Sequence, residues 1–439
     1  MPLRITFYAT LNYAALKMLV KVLLGKGLSR ITPIRSITCP VGIRERQEQR
    51  QDQEFPVCVQ GRHGMARRHT PYYHKFTALG AEIVDRIGFD AAYKFTSVEE
   101  EHLATRRSAG LYDVYYQVIV DIKGRDAEKL LQKTLVNDAA RLAGGQALYS
   151  SVCNEAGGII DDLTCFRLSP AHYWLCPTPS RVDTITSWMT EQAEGLNACI
   201  TNLGAGRAYL SVQGPRSREI VAQLTDADLS TAALPYFSFT RSTVAEVSDT
   251  VIARTGYSGE LGYELFYPGE YAEHMWDAVM AAGKDYGLIP CGLGALRSVR
   301  IEKRYPLYGL DLDETTSPIE AGLGWTVRFD KGDFTGREAL LRQRDAGVTR
   351  TLVAIEFPDL EFVPAPGDEI GIDGEPVGKV TSADRGYFLG RSLAMGYLNP
   401  DAAAAGTSVT VTSGASGESK IGTVSIKAPY DPERTRARA

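Results

Sequence analysis

The chain has 439 residues, 44% of them hydrophobic and 23% charged, enough to build two or three domains with buried cores. That balance excludes a collagen-like or wholly disordered chain, and a net charge of −5 offers no electrostatic footprint for nucleic acid. Seven cysteines without a C-x-x-C pair and six histidines without H-E-x-x-H argue against a zinc ribbon, a redox dithiol, a secreted disulfide framework or any other metal site. A cytoplasmic enzyme fits these bounds, and so does a binding protein.

Residues 1–66 form a basic leader set against an acidic remainder. Its apolar run, AALKMLVKVLL (14–24), is shorter than the roughly 20 residues of a membrane span and is broken by Lys17 and Lys21. No small-residue cleavage site follows it. The leader is read as unstructured, or as a start placed upstream of Met65, and no function is assigned to it. Ordered sequence begins near ARRHTPYYHKF.

The pattern then predicts that the segment 102–114 begins as a helix that stops at Gly110, followed by a strand over 116–122 and a helix from 126 to 134. Residues 208–224 read as strand, Gly-Pro turn and helix, and residues 269–287 as a helix closed by glycine. Beyond Gly336 short strands recur at even spacing between Gly, Asp-Gly and Ser-Gly turns, the pattern of a small antiparallel barrel or sandwich. The expected units are therefore 67–345, 346–431 and a frayed tail over 432–439.

Three segments stand out chemically. In NEAGGIIDDLTCF (154–166) two glycines make a turn, and strand alternation puts Ile160, Asp162 and Thr164 on one face, with Ile159, Asp161, Leu163 and Cys165 on the other. Adjacent carboxylates in an apolar strand are costly unless paired, and burial raises their pKa toward the range useful for proton transfer. The competing reading is a hairpin whose acids cap the turn or face solvent. In ARTGYSGELGYELFY (253–267), Glu264 interrupts an apolar strand and Tyr257 precedes the turn. That suggests either a carboxylate awaiting a hydrogen-bond donor or an exposed Glu on an edge strand. In GLGALRSVRIE (292–302) two glycines open a helix, where free N–H groups can meet an anion or close packing can require glycine. The third glycine of a dinucleotide fingerprint is missing, so no NAD or FAD domain is supported.

Taken in order, LYSSVCNEAGGIIDDL, SVQGPRS, ARTGYSGELGYELF, GLGALRSVRIEKRYPLYGLDLDE, SPIEAGLGW and DKGDFTGREAL resemble the aminomethyltransferase (T-protein) family of the glycine cleavage system. They are also similar to the folate-binding portions of sarcosine and dimethylglycine dehydrogenases. The resemblance spans about residues 68–430. It implies an α+β fold, with a three-part folate-binding core arranged as a cloverleaf and a C-terminal antiparallel β-barrel. It further implies tetrahydrofolate as cofactor, Asp162 as the catalytic aspartate, Tyr149 near the folate, and Glu264 and Tyr257 on the pterin, with Trp325 lining the same cavity.

The departures concern the donor side. Leu296 stands where the family has arginine, and Arg297 follows one step along the helix, about 100° away. Tyr116 stands where the T-protein has histidine, and Pro177 where it has asparagine. The implied chemistry is transfer of a methylene or methyl group from an N-, O- or S-linked donor to tetrahydrofolate. The donor is a small methylated compound or a lipoyl carrier protein. Alternatives are a folate-binding subunit that serves a separate flavin amine oxidase, and a non-catalytic folate-binding factor. The cysteine that marks the latter's K-G-C-Y motif is replaced here by Asp333. Neither a nucleic acid nor a membrane is expected as a partner.

Overall fold

The computed structural model describes residues 67–439; the leader lies outside them. Two large sheets and a barrel carry the chain. A six-stranded sheet runs in the order Phe239–Val244, Val247–Ala253, Gly262–Pro268, Arg207–Gln213, Ala109–Asp113, Leu288–Cys291. A five-stranded antiparallel sheet runs Gln146–Cys153, Ile159–Ser169, His172–Cys176, Val120–Lys123, Cys199–Asn202. A small sheet joins Arg68–His69, Phe89–Lys94 and Glu82–Arg86.

The expected regular C-terminal strands close into a six-stranded antiparallel barrel between Thr351 and Ser425. Closure leaves no free edge, which is how short strands escape edge-to-edge pairing. The barrel is filled by Val353, Ile355, Phe357, Val380, Ala394, Leu398, Val411 and Val424. The fold is thus α+β with a C-terminal barrel.

The two large sheets face one another across an aromatic seam. Phe266 stacks on Tyr209 at 4.3 Å between centroids and meets Phe166 at 5.7 Å and Trp174 at 6.1 Å. Each sheet covers its other face with helices. Tyr73–Ala78, Ser217–Val221 and Ala272–Gly283 pack on the six-stranded sheet, and Ala127–Thr134 and Val182–Gln192 on the five-stranded one.

Three local expectations change. The helix expected from His102 to Gly110 occupies Val98–Arg107 instead, started by Ser97, whose hydroxyl accepts from the Glu100 N–H at 3.1 Å. The chain breaks at Ser108 and continues as the strand Ala109–Asp113, because its Leu111 and Tyr112 are claimed by the cores on the two faces of the six-stranded sheet. The strand expected from Tyr116 begins only at Val120. Asp113 turns the chain first, its Oδ1 accepting from the Tyr115 N–H at 2.8 Å. The tail expected to fray is anchored: Lys303 Nζ pairs with Asp431 at 2.7 Å, Ala437 is buried, and the Ala439 carbonyl accepts from Arg218 at 2.7 Å.

Candidate active site

The gap between the sheets is lined by the residues that break strand patterning. On the strand Ile159–Ser169, Asp162 shares a face with Phe166, a member of the seam, so its side chain is directed toward the opposite sheet. Asp162 and Thr164 are half-buried, while Asp161, Leu163 and Cys165 are buried behind them. Ile160, grouped with Asp162 by simple alternation, packs instead with Leu163 and Cys165. The turn that launches this strand needs its glycine. A Cβ on Gly158 would sit 1.9 Å from the Glu314 carbonyl, and the Gly158 N–H donates to Asn154 Oδ1 at 2.9 Å.

Tyr149 lies opposite Thr164 on the neighbouring strand, one diagonal step from Asp162, and its hydroxyl donates to Asp162 Oδ2 at 2.7 Å. The other oxygen, Oδ1, is enclosed and has no hydrogen-bond partner. Burial lifts the Asp162 carboxyl from 3.8 to about 6; the Tyr149 bond pulls it back, and the charge of Asp311 adds to the rise. Asp161 is raised as well, by burial first and then by the charge of Asp162, although the Thr178 N–H donates to it at 2.9 Å. Burial also keeps Tyr149 a proton donor at neutral pH. The two acids do not cap the turn; Asn154 does that.

Trp325, half exposed, stacks on the outer side of Tyr149 at 6.2 Å and 23°. Its other neighbour is the Arg434 guanidinium, 5.8 Å from the ring. Tyr257 lies close enough to Asp162 and Tyr149 for their charges to interact. Its hydroxyl donates to the Pro306 carbonyl at 2.5 Å, and its ring tilts over Tyr305 at 5.7 Å.

Glu264 rises from the other wall. Its strand lies between two others, pairing with Ala253 on one side and Ser211 on the other, so the exposed-edge alternative does not hold. Two residues before Phe266, it faces the same gap. Oε2 accepts from Thr255, and the Tyr209 hydroxyl also bonds the carboxylate. Burial raises its pKa while both hydroxyls oppose the rise. The structure therefore joins Tyr149, Asp162 and Trp325 by direct contact, with Tyr257 beside them, and sets Glu264 across the gap.

The helix Leu293–Glu302 resolves the question left by its two glycines in favour of packing. A Cβ on Gly292 would meet the Tyr93 carbonyl at 2.2 Å, and the Gly292 N–H is already held by Glu101 at 2.8 Å. Leu296 is half-buried beside Tyr116 and Asp113. Arg297 pairs with Asp384 of the barrel at 3.3 Å. Sequence reasoning missed Thr255 and Tyr209; Thr255 lies in the loop after the strand Val247–Ala253 and Tyr209 within the strand Arg207–Gln213, and both reach Glu264 only when these neighbours flank its strand. Among the described residues no cluster of His, Cys, Asp or Glu could hold a metal ion, and no helix is long and apolar enough to cross a membrane.

A sandwich-and-barrel molecule with an acid–phenol pair in the gap defines a class that comparison with known proteins identifies. Residues 72–331 match the GCVT N-terminal domain and residues 350–431 the glycine cleavage T-protein C-terminal barrel domain. The chain is 38% identical over 344 residues to an aminomethyltransferase of Halothermothrix orenii, covering 78% of this chain and 95% of that one. It is 39% identical over 345 residues to an aminomethyltransferase of Moorella thermoacetica, covering 79% and 93%. The structure of glycine cleavage system aminomethyltransferase T from Bartonella henselae superposes with a TM-score of 0.76 at 28% identity, covering 84% of this chain and 99% of that one. The chain belongs to the glycine cleavage T-protein family.

Proposed function

We propose that the protein is a tetrahydrofolate-dependent one-carbon transferase, an aminomethyltransferase or demethylase that uses Asp162 as its catalytic residue. The observation that carries this is the Asp162 carboxyl itself: one oxygen is fixed by Tyr149 and the other is enclosed and unpartnered. Native proteins rarely leave a buried carboxylate oxygen without a donor. An N–H or a developing cation in the gap would satisfy it.

The lining suits a reduced pterin. Glu264 offers a carboxylate to ring N–H donors, held in place by Thr255 and Tyr209. Tyr257, its hydroxyl tied to Pro306, offers a ring face for stacking, and Trp325 with Tyr149 forms the outer wall. Tetrahydrofolate, when bound, supplies the amine that takes up the one-carbon unit. Asp162 accepts the proton of that amine, or stabilises positive charge as the donor's bond to carbon breaks. A carboxyl at about 6 is ionised at neutral pH yet basic enough to take a proton. Most of the acceleration would come from positioning and from this preset charge in a water-poor gap.

The donor is a lipoyl carrier protein or a small methylated compound, and Leu296 in the arginine position favours the small compound. Anaerobic calorimetric titration with tetrahydrofolate tests the reading. Micromolar binding supports it, whereas no heat at millimolar folate would reduce the motifs to ancestry alone.

A further inference from the structure

We infer that Arg434 is a positioning residue for the acid–phenol pair. The turn over residues 431–436 brings its guanidinium onto Trp325, which braces Tyr149 and so keeps the Tyr149 hydroxyl on Asp162. The inference rests on the folate-dependent reading above and adds to that site a residue from beyond the barrel.

The contacts form one continuous line. The Arg434 guanidinium lies 5.8 Å from the Trp325 ring centroid, Trp325 stacks on Tyr149 at 6.2 Å and 23°, and the Tyr149 hydroxyl donates to Asp162 Oδ2 at 2.7 Å. Trp325 sits on the short turn Gly324–Thr326 with half its surface exposed. Among the described residues its ring interactions are with Tyr149 and Arg434. An exposed ring held by two contacts regains side-chain freedom when one is removed. A ligand that packs against it must then order it again, at a cost in affinity.

The turn is built to present this arginine. Asp431 and Arg434 have positive φ, 43° and 58°, a conformation that non-glycine residues adopt at a cost. The Asp431 carboxylate offsets that cost. Its Oδ1 accepts from the Thr435 N–H at 2.9 Å and hydroxyl at 2.7 Å, and its Oδ2 accepts from the Arg436 N–H at 3.2 Å and Lys303 at 2.7 Å. Arg434 itself is not needed to tether the segment. Lys303, Arg436 and Arg218 do that through Asp431, Glu260 and the Ala439 carbonyl. The adjacent acid, Glu433, is taken by Lys427 at 2.8 Å. Arg434, with no acid within ion-pair distance among the described residues, is left to face a ring of the site.

The test is anaerobic calorimetric titration of the full chain with tetrahydrofolate. Arg434→Gln keeps most of the side-chain length and the same backbone demand, and should weaken binding about two- to fivefold, the range of an exposed cation–π contact. Arg434→Lys should recover part of that loss. In a Trp325→Ala chain, Arg434→Gln should cost nothing further, because the ring it acts through is gone. Native affinity in Arg434→Gln or no recovery by lysine would overturn the inference. So would an equal loss in the Trp325→Ala chain, which would mean that Arg434 meets the ligand directly. If the native chain bound no tetrahydrofolate, the folate reading would fall, and acrylamide quenching of Trp325, read as the difference from Trp325→Phe, would decide the brace. Quenching that rises in Arg434→Gln would support it, and unchanged quenching would overturn it.

Discussion

Two regions bury charge, and they do it in opposite ways. Between the helices Val98–Arg107 and Leu293–Glu302, Arg106 donates to Glu302 at 2.8 Å, to Glu260 at 3.2 Å and to the carbonyls of Ser258 and Val299, each at 2.9 Å. His102 and the Phe388 N–H meet the other Glu302 oxygen, and the Tyr430 ring covers the guanidinium at 3.9 Å. Nearly every charge there is answered. In the gap between the sheets, Asp162 keeps an enclosed oxygen without a partner. A saturated cluster fixes structure, because removing one member strands the others; an unsaturated one leaves work for a ligand.

The largest effect that would sharpen this contrast is on turnover. Asp162→Asn should lower the rate by about 10²–10⁴-fold, the usual contribution of a positioned acid or base, while leaving folate binding near its native value. An active variant would remove the assigned role. The same variant carries a pH test. The Asp162 carboxyl is raised from 3.8 to about 6, so the folded state binds the proton more tightly than the unfolded chain. Its contribution to stability is complete below about pH 4 and is lost as pH rises through 6. Asp162→Asn should therefore melt higher than the native protein at pH 8 and lose that advantage as pH falls toward 4.

Arg106→Ala addresses the other region. It should cost about 3–5 kcal/mol in denaturant unfolding, since two buried carboxylates lose their cation. A loss below 1 kcal/mol would mean the cluster is not the structural tie described here. The smallest effect is expected from Glu264→Ala, which should weaken tetrahydrofolate by about 1.5–3 kcal/mol in a binding titration. Unchanged affinity would move the pterin to other residues.

Much of the site was legible because its residues violate strand patterning. Asp162 between Ile160 and Leu163, and Glu264 between Tyr263 and Leu265, stand out against any alternation rule. Thr255 and Tyr209 do not, since each suits its local strand or loop. They matter only because the strands on either side of Glu264 bring them to its carboxylate. The tail over 432–439 misled for the same reason: its polar composition says nothing of Arg218 waiting for the Ala439 carbonyl.

The sequence by itself determined the short, evenly spaced C-terminal strands, the motif order and the odd carboxylates, since turn chemistry, period-two patterning and misplaced charge are local properties. Tertiary structure alone decided which of those charges are paired. Arg297 and Arg86 look alike in the chain, yet one meets Asp384 of the barrel and the other no acid among the described residues. Pairing depends on which distant segment arrives within 4 Å, and no local pattern encodes that.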